Sequence, residues 1–253
     1  MCNLICGKGE IGKSLYEVFR HYHETYIRDI EETVPYKDIE VLHIAYPYSS
    51  KFVKNTKAYI RQYNPKLVIV HSSIPVGTTR KLGDIAVYSP VNGRHPDLVP
   101  HIKSFKKIVG GVNPYQVFEA IKFLKGAMLD TVVFSSPEAA ELAKILCTRR
   151  YGVSIIEMKE TATLCQKFDV PFHEVYSQWN MMYNEGYTKV GEVRFHRPNL
   201  VPMKGPTGGH CVIPNLEFVK DELSEFIKSR NEVYKGVKHD NRKKHNNLEA
   251  RTK

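Results

Sequence analysis

The chain has 253 residues, of which 42% are hydrophobic and 25% are charged, and its formal net charge is +10. This length is enough for one large or two modest domains, and no apolar run is long enough to span a membrane. The basic excess is spread along the chain, apart from one dense run near the C-terminus. We therefore expect no membrane partner and no nucleic-acid partner, and the charge suits a phosphorylated substrate or solubility alone.

The N-terminus, the cysteines and the histidines narrow the protein class further. The N-terminus begins a strand rather than an export signal, which predicts a cytoplasmic protein. The five cysteines form no CxxC pair, and their odd number favours thiols over a disulfide framework. The histidines are scattered without metal-ligand spacing, so we predict no metal site.

The first predicted strand, residues 3–6, runs directly into a glycine-rich turn, and a helix is predicted over residues 13–23. The glycines allow a tight turn and let backbone N–H groups approach a pyrophosphate at the helix N-terminus. Strand, glycines and helix in this order predict a dinucleotide-binding loop, with a plain glycine turn as the alternative. The residues of this loop are Gly7, Lys8, Gly9, Glu10, Ile11 and Gly12.

The second predicted strand, residues 25–30, carries an acidic residue near its end. Asp29 follows the glycine loop at about the distance at which an acid binds the adenosine ribose hydroxyls. Its carboxylate disfavours a 2′-phosphate, so we predict NAD rather than NADP as the cofactor. Arg28 beside it keeps NADP open.

Strands and helices then alternate along the chain. Further strands are predicted over 40–45, 66–71, 85–88, 107–111 and 131–134, with helices over 51–63 and 114–124. This alternation implies right-handed crossovers and predicts an α/β fold with a Rossmann-like, doubly wound parallel sheet. Ligands of such sheets lie at the carboxyl ends of the strands. The candidate ligand-binding residues that follow strand ends are Pro47, Ser73, Asn92 and His95.

A long helix is predicted over residues 135–169. Ser135 and Glu138 form a capping-box pattern, and Pro137 suits the first helical turn. Lys144 lies in the most apolar turn, and Thr148 lies one turn further along the same face. The stem of Lys144 either extends to water, which is the usual case, or its amine serves a site.

The rest of the chain is mixed. A helix is predicted around Trp179 within residues 171–187, a loop over 194–206, a final helix over 216–228 and a solvated tail from residue 229 onward. The predicted domains are a dinucleotide-binding domain over 1–134, a long helix with a helical substrate and dimerisation domain over 135–228, and a basic polar tail over 229–253.

Cys211 is the candidate nucleophile. It follows Gly208, Gly209 and His210, an arrangement that places a thiol at an exposed bend where a substrate can approach closely. A cysteine reacts as the thiolate, and a positive charge from Lys144 or His210 would favour that form. The alternative is a small buried cysteine.

Four segments of the sequence together resemble a known enzyme family. GKGEIG, HSSIPVGTT, ELAKILCT and GPTGGHCVIPN occur in the order found in the UDP-glucose/GDP-mannose dehydrogenases, within the 6-phosphogluconate dehydrogenase-like superfamily. The resemblance covers roughly residues 3–220. It implies a Rossmann domain, a long dimer-forming helix and a small helical domain with the active cysteine. The family's C-terminal nucleotide-binding domain has no counterpart after residue 228, so we expect a truncated relative.

The resemblance also implies an activity. In this family a sugar's primary alcohol is oxidised to a carboxylate in two steps that consume two NAD. The cysteine that matches Cys211 captures the aldehyde as a thiohemiacetal, and water later cleaves the thioester. The lysine that matches Lys144 stabilises the oxyanion and assists proton transfer. Ser73 stands where the family has a threonine that positions water, and the glycine-rich loop before Cys211 faces the substrate, as we expect of Asn92 and His95.

Four positions depart from the family pattern. Thr148 stands for an asparagine, and Asn215 stands for an aspartate that acts in proton transfer. The family's two glutamates align with Val91 and His95, and His95 is a candidate base near neutral pH. The catalytic candidates are Cys211, Lys144, Thr148, Asn215 and Ser73.

Three functions stay open from the sequence. The first is the four-electron sugar-nucleotide dehydrogenase. The second is a two-electron NAD-dependent hydroxyacid dehydrogenase, because residues 89–93 resemble the substrate loop of those enzymes. The third is a non-catalytic protein that binds NAD or a nucleotide-sugar, because acid and base residues differ. We expect a small sugar or sugar-nucleotide ligand and a two-fold homodimer through the long helix.

Overall fold

The computed structural model describes residues 1–29, 32, 38–203, 205–207 and 211–235. The chain divides into two compact units, residues 1–146 and 147–253, and each is described by itself. The boundary between these units falls inside the long helix. The functional division at residue 134 stays a prediction.

A seven-stranded sheet in the order β2-β1-β3-β4-β5-β6-β7 organises the first unit. Five of its six strand pairs are parallel, which confirms the predicted α/β, Rossmann-like sheet. The strands are β1 (Cys2–Cys6), β2 (Glu24–Arg28), β3 (Val41–Ile44), β4 (Leu67–Val70), β5 (Ala86–Tyr88), β6 (Lys107–Gly111) and β7 (Thr131–Val133).

Eight α-helices lie in the described part of the chain. Three shorter segments accompany them: 3₁₀ turns at Arg80–Leu82 and Val193–Phe195, and a π-helical segment at His173–Gln178. None of these helices is both long enough and apolar enough to cross a membrane. The α-helices are α1 (Glu10–Phe19), α2 (Phe52–Tyr63), α3 (Leu98–Ser104), α4 (Pro114–Gly126), α5 (Pro137–Lys167), α6 (Trp179–Lys189), α7 (Val212–Leu216) and α8 (Glu222–Val233).

The central strands β3, β4 and β5 are buried on both faces, as their apolar residues require. Successive side chains of a strand point to opposite faces, so Ile5 joins one apolar layer and Leu4 joins the other. The first layer includes Phe19 of α1 and Phe123 of α4, and the second includes Phe52 of α2. The two layers hold the strand ends rigidly enough to support a site.

Strand β6 runs antiparallel to β5, so the prediction of a wholly parallel sheet was wrong at this pair. The connection contains α3, a helix of only seven residues that the sequence did not predict. Leu98 and Ile102 of α3 are buried in the same apolar layer as α1. Because α3 ends at Ser104, little chain remains to return along β5. Strand β6 therefore starts near the edge where β5 ends.

The cap of the long helix lies one residue later than predicted. Ser136, and not Ser135, caps it, because the Ser136 hydroxyl accepts a hydrogen bond from the Ala139 N–H at 3.1 Å. Glu138 pairs with Arg80 at 2.6 Å instead of closing a capping box. Two adjacent serines offer the same chemistry, and only the path of the chain selects between them.

The second unit packs α6, α7, α8 and the later turns of α5. Its core includes Ile155, Met158, Tyr176 and Tyr234. The final helix predicted over 216–228 is present, but its bounds were wrong. Residue 216 ends α7, and α8 starts only at Glu222, where the Asp221 carboxylate accepts from the Ser224 N–H at 2.7 Å. The tail predicted from residue 229 was also wrong up to residue 235, since α8 continues to Val233. Residues 236–253 lie outside the described residues.

A pair of buried histidines lies inside the first unit. His71 Nδ1–H donates to the Ser89 carbonyl at 2.7 Å, so its Nε2 is the acceptor for His43 Nδ1–H at 3.0 Å. His43 Nε2 then carries a lone pair and has no partner among the described residues. Burial lowers the pKa of His43 to about 3 and also lowers that of His71. Both rings are neutral in the folded protein near pH 7.

These histidines predict a loss of stability in acid. The unfolded chain binds protons at both rings below the ordinary pKa of 6.5, whereas folded His43 does so only near pH 3. Each histidine should therefore lower the free energy of unfolding by about 1.4 kcal/mol per pH unit as the pH falls through this window. His43→Phe should roughly halve this slope in urea unfolding between pH 4 and pH 7. His21→Phe, at an exposed position, is the control, and an unchanged slope in His43→Phe would contradict the assignment.

Candidate functional site

The carboxyl ends of four parallel strands meet at one edge of the sheet. Strands β1, β3, β4 and β5 are paired in parallel through neighbours, so the segments that follow them lie at the same edge. The residues predicted for a ligand site follow these ends: Gly7 after β1, Pro47 after β3, Ser73 after β4 and Asn92 after β5. Pro47 is exposed, and Ser73 and Asn92 are partly buried. The topology therefore gathers these candidates at one edge.

The glycine loop after β1 needs its glycines for two different reasons. Gly7 has a φ of +114°, and a Cβ there would lie 2.8 Å from the Ala45 carbonyl carbon. A Cβ on Gly12 would lie 1.8 Å from the Gly7 carbonyl oxygen. Gly9 caps α1, and a Cβ there would meet nothing within 4 Å. Two glycines serve packing, and the third leaves open space at the helix N-terminus, which fits a pyrophosphate.

At the end of β2 an acidic side chain lies at the surface and the neighbouring cationic side chain is buried. Asp29 is exposed, as an acid that binds ribose hydroxyls would be. Arg28 is only 4% exposed, and its guanidinium donates to the Tyr63 hydroxyl at 2.6 Å and lies 5.0 Å from the centre of the Tyr59 ring. These contacts engage Arg28 in the interior, so the arrangement fits NAD better than NADP.

Two side chains of the glycine loop bind side chains of other segments. Lys8 pairs with Glu32 at 2.5 Å, and Glu10 pairs with His95 Nδ1 at 2.6 Å. The second pair joins the first turn of α1 to the segment after β5. Both pairs are partly exposed, so each contributes little to stability. The effect of the Glu10–His95 pair is geometric, because it connects the predicted cofactor loop with the predicted substrate segment.

The amine of Lys144 is held at this same edge. Its Nζ donates to the Val91 carbonyl at 2.7 Å and to the Asn92 side-chain oxygen at 3.2 Å. The side chain therefore does not simply extend to water. Val91 aligns with a glutamate of the resembled family, but it binds the Lys144 amine through its backbone carbonyl. The valine side chain gives no sign of this contact in the sequence.

Glu141 is a buried residue that the sequence did not indicate. Its carboxylate is completely buried and accepts from the N–H groups of Gly77 at 2.5 Å and Thr79 at 2.8 Å. Burial raises the pKa of Glu141, while these hydrogen bonds oppose the rise. Since Glu141 lies one turn before Lys144 on α5, it fastens the segment after β4 to the helix that carries the amine. The sequence signal that could have indicated Glu141 is the acid one turn before the lysine in the segment ELAK.

The second unit brings two of the predicted catalytic residues together. The Asn215 amide donates to the Thr148 hydroxyl at 3.4 Å. These are two of the positions that depart from the resembled family, so the departures are neighbours in space. Cys211 is exposed and immediately precedes α7. The predicted substrate residues Gly208, Gly209 and His210 lie outside the described residues.

The segment before Cys211 is fastened from two helices. Lys159 of α5 is 6% exposed, and its amine donates to the carbonyls of Met203 at 2.9 Å and Gly205 at 2.5 Å. Asn231 of α8 accepts from the Thr207 N–H at 2.6 Å. The sequence analysis missed both residues, because a lysine and an asparagine on polar helices give no distinctive pattern.

The meeting of Lys144 and Cys211 at one site stays a prediction, whereas the described residues do bear on disulfides and metal ligands. Lys144 belongs to the first unit and Cys211 to the second, and their convergence beside a nicotinamide is not established. All five cysteines lie among the described residues, and none forms a disulfide. Within the described ranges, no group of three or more His, Cys, Asp or Glu side chains could hold a metal ion.

Comparison with known proteins agrees with this architecture. The chain is 24% identical over 189 residues to the UDP-N-acetyl-D-mannosamine dehydrogenase of Methanococcus vannielii. It is similar in structure to the UDP-D-ManNAc dehydrogenase of Pyrococcus horikoshii, with a TM-score of 0.75 and 17% identity over 92% of this chain and 68% of that chain. The resemblance to nucleotide-sugar dehydrogenases is confirmed. The sequence match covers 72% of this chain and 41% of the Methanococcus protein, so it spans less than half of that relative.

A shorter enzyme shares the fold over almost its whole length. The 3-hydroxyisobutyrate dehydrogenase of Mycobacterium tuberculosis has a TM-score of 0.65 and 15% identity to this chain, over 90% of this chain and 92% of that one. No protein-family model matches the chain. At these identities the structural similarities establish the fold, and the chemistry has to be argued from the residues.

The glycine loop gives a matched set of variants. Gly12→Ala should destabilise the protein by about 1 to 3 kcal/mol, because its Cβ would collide with the Gly7 carbonyl. Gly9→Ala should change stability by less than about 0.5 kcal/mol, since its Cβ meets open space. It should still weaken NAD binding at least tenfold, because that space is where the pyrophosphate would lie. Urea unfolding and calorimetry with NAD measure the two effects. Gly186→Ala, on α6, is the control, and unchanged NAD affinity in Gly9→Ala would contradict the loop's role.

Proposed function

We propose that the chain is an NAD-dependent dehydrogenase that oxidises a sugar-nucleotide alcohol to a carboxylate through a covalent intermediate on Cys211. The observation that carries this proposal is the meeting of two groups in the first unit. The glycine loop contacts the segment after β5 through Glu10 and His95, and the same segment holds the amine of Lys144. A dinucleotide loop beside a fixed lysine amine is the arrangement that alcohol oxidation needs.

NAD bound at the loop supplies the hydride acceptor for both oxidation steps. The residues that would hold it are the backbone of Gly7 to Gly12, the Asp29 carboxylate and Pro47. Asp29 would bind the ribose hydroxyls and repel a 2′-phosphate. The enclosure of Arg28 by Tyr59 and Tyr63 removes from the surface the cation that would otherwise attract that phosphate.

Lys144 and Cys211 would share the chemistry. In the first step the alcohol loses a hydride and a proton and becomes an aldehyde. The Cys211 sulfur then forms a bond to the carbonyl carbon, and the thiol proton passes to the oxygen. The resulting hydroxyl loses a proton and its carbon loses a hydride, which gives a thioester. Water finally breaks the carbon–sulfur bond and releases the carboxylate and the thiol. Lys144 would stabilise the negative oxygen in these steps.

The departures from the family change how protons would move. The Asn215 amide cannot accept a proton, and in the second unit it donates to Thr148 instead. The base of the reaction therefore has to come from elsewhere, and we assign proton transfer to Lys144. Ser73, at the end of β4, would position the water with its hydroxyl. These substitutions predict slow turnover, not a different reaction.

The stoichiometry of NADH tests the covalent route. With UDP-N-acetyl-D-mannosamine or UDP-glucose as substrate, the wild-type protein should form two NADH per sugar oxidised. Cys211→Ala should form at most one, because the aldehyde cannot become a thioester. Cys147→Ala is the matched control, since Cys147 is also exposed in the second unit, and it should keep two. One NADH per sugar in the wild-type protein would contradict the covalent route.

A two-electron hydroxyacid dehydrogenase is the second candidate. It is favoured by the fold similarity to a 3-hydroxyisobutyrate dehydrogenase over 92% of that shorter enzyme. It needs Lys144 but not Cys211, so one NADH per substrate and an active Cys211→Ala protein would support it. A non-catalytic binding protein is the third candidate, and the replacement of the family's aspartate by Asn215 favours it. It would bind NAD measurably in calorimetry without turnover.

We further propose that the protein forms a two-fold homodimer through α5. Val153 and Leu164 are 37% and 52% exposed on this helix. They are eleven residues apart, which places them on nearly the same helix face. Two apolar residues aligned on an exposed face of a long helix suit a self-complementary contact.

Light scattering tests this dimer. The wild-type protein should have the mass of a dimer at micromolar concentration, and the double variant Val153→Glu, Leu164→Glu should have the mass of a monomer, because it places four carboxylates in the contact. Phe118→Glu is the control, since Phe118 is 61% exposed and belongs to a different helix, α4. A monomeric wild-type protein would contradict the proposal.

A further inference from the structure

Lys107 is a buried lysine that no step of the proposed reaction uses. It is the first residue of β6 and is only 3% exposed. Its amine donates to the carbonyls of Ser89 at 2.8 Å and Pro90 at 2.5 Å. These acceptors are neutral, so the amine has no carboxylate among its hydrogen-bond partners in the described structure. A lysine in such surroundings is costly to keep and calls for an explanation.

The two carbonyls bound by Lys107 belong to the segment that holds Lys144. Ser89 and Pro90 are bound by Lys107, and the next two residues, Val91 and Asn92, are bound by Lys144. Two lysine amines thus bind four consecutive residues. His71 donates to the Ser89 carbonyl as well, so the start of the segment has two buried donors.

The antiparallel entry of β6 explains how Lys107 reaches this segment. Since β6 starts near the edge where β5 ends, its first residue lies at the edge that carries the site. A parallel β6 would place its first residue at the opposite edge. The backbone N–H of Lys107 also donates to the Asp130 carbonyl at 2.7 Å, which fixes the residue in the sheet.

We propose that Lys107 is a positioning residue that holds the segment of residues 89–92 in the conformation in which Val91 and Asn92 bind the amine of Lys144. The catalytic importance of Lys144 rests on the proposed function, but the mechanical link between the two lysines does not. Removal of Lys107 should release the Pro90 carbonyl and leave the Ser89 carbonyl to His71 alone, which loosens the segment and leaves Lys144 less constrained.

The surroundings of Lys107 weaken its hold on a proton. Burial and, to a lesser extent, the charge of Lys144 lower the pKa of Lys107 well below the ordinary value. The two carbonyl contacts, at 2.8 Å and 2.5 Å, hold the segment.

The chemical reactivity of Lys144 tests the link without any enzyme assay. We would label the full-length protein with acetic anhydride between pH 7 and pH 11 and measure acetylation by mass spectrometry. Exposed Lys125 serves as the internal reference. In Lys107→Met the plateau rate of Lys144 relative to Lys125 should rise at least threefold. Lys106→Met, at the exposed neighbouring position, should leave that ratio within twofold.

The outcomes separate positioning from simple stabilisation. If Lys107 only stabilises β6, Lys107→Met lowers the melting temperature but leaves the Lys144 ratio unchanged, and the proposal is overturned. Should Lys107→Met fail to fold, Lys107→Gln keeps a donor, and its ratio should lie above that of the wild-type protein. An unchanged ratio in that variant also overturns the proposal.

Two further measurements complete the test. Asn92→Ala should raise the Lys144 ratio by itself, and adding Lys107→Met should raise it by less than the product of the two effects, because both act on one segment. Independent, multiplicative effects would count against the link. If a nucleotide-sugar is oxidised, Lys107→Met should lower kcat at least tenfold and change KM less than threefold. Absence of turnover in the wild-type protein would contradict the proposed function. The labelling result would still decide the role of Lys107.

Discussion

The parallel pairing of β1, β3, β4 and β5 is the constraint on which the rest of the first unit depends. It brings the loops after four strands to a single edge, although they are far apart in sequence. The pairing in turn depends on close backbone approach, because Gly7 packs against Ala45 and Gly12 packs against Gly7. A side chain at either glycine would separate the strand, the loop and the helix that form the predicted cofactor site.

Buried polar groups then fix the loops at that edge. His71 and Lys107 donate to the Ser89 carbonyl, and Glu141 accepts from the N–H groups of Gly77 and Thr79. Each of these side chains is buried, and together they satisfy backbone groups of the loops. This arrangement is reasonable where loops have to be held rigidly beside a reacting centre.

The chemistry that this chain can perform depends on a few substitutions. The resembled family uses an aspartate where this chain has Asn215, and Asn215 binds Thr148 at another substituted position. The Cys211 thiol and the Lys144 amine are both kept, while the acid–base groups around them are not. Under the proposed function, a Cys211 nucleophile with altered proton donors would make the same bond changes at a different rate. The alternative of a simpler two-electron oxidation needs fewer of the altered residues.

The sequence by itself determined the order of the seven strands and of α1, α2 and α4 in the first unit and the glycine loop, and it named Lys144 and Cys211 as candidates. These are local signals, since turns, apolar periodicity and motif spacing act over a few residues. Only the tertiary structure decided that β6 runs antiparallel, that Ser136 caps α5 and that Lys107, Glu141 and Lys159 fasten the loops. Those outcomes depend on contacts between residues far apart in the chain, where burial and hydrogen-bond partners, and not local preference, set the lowest free energy.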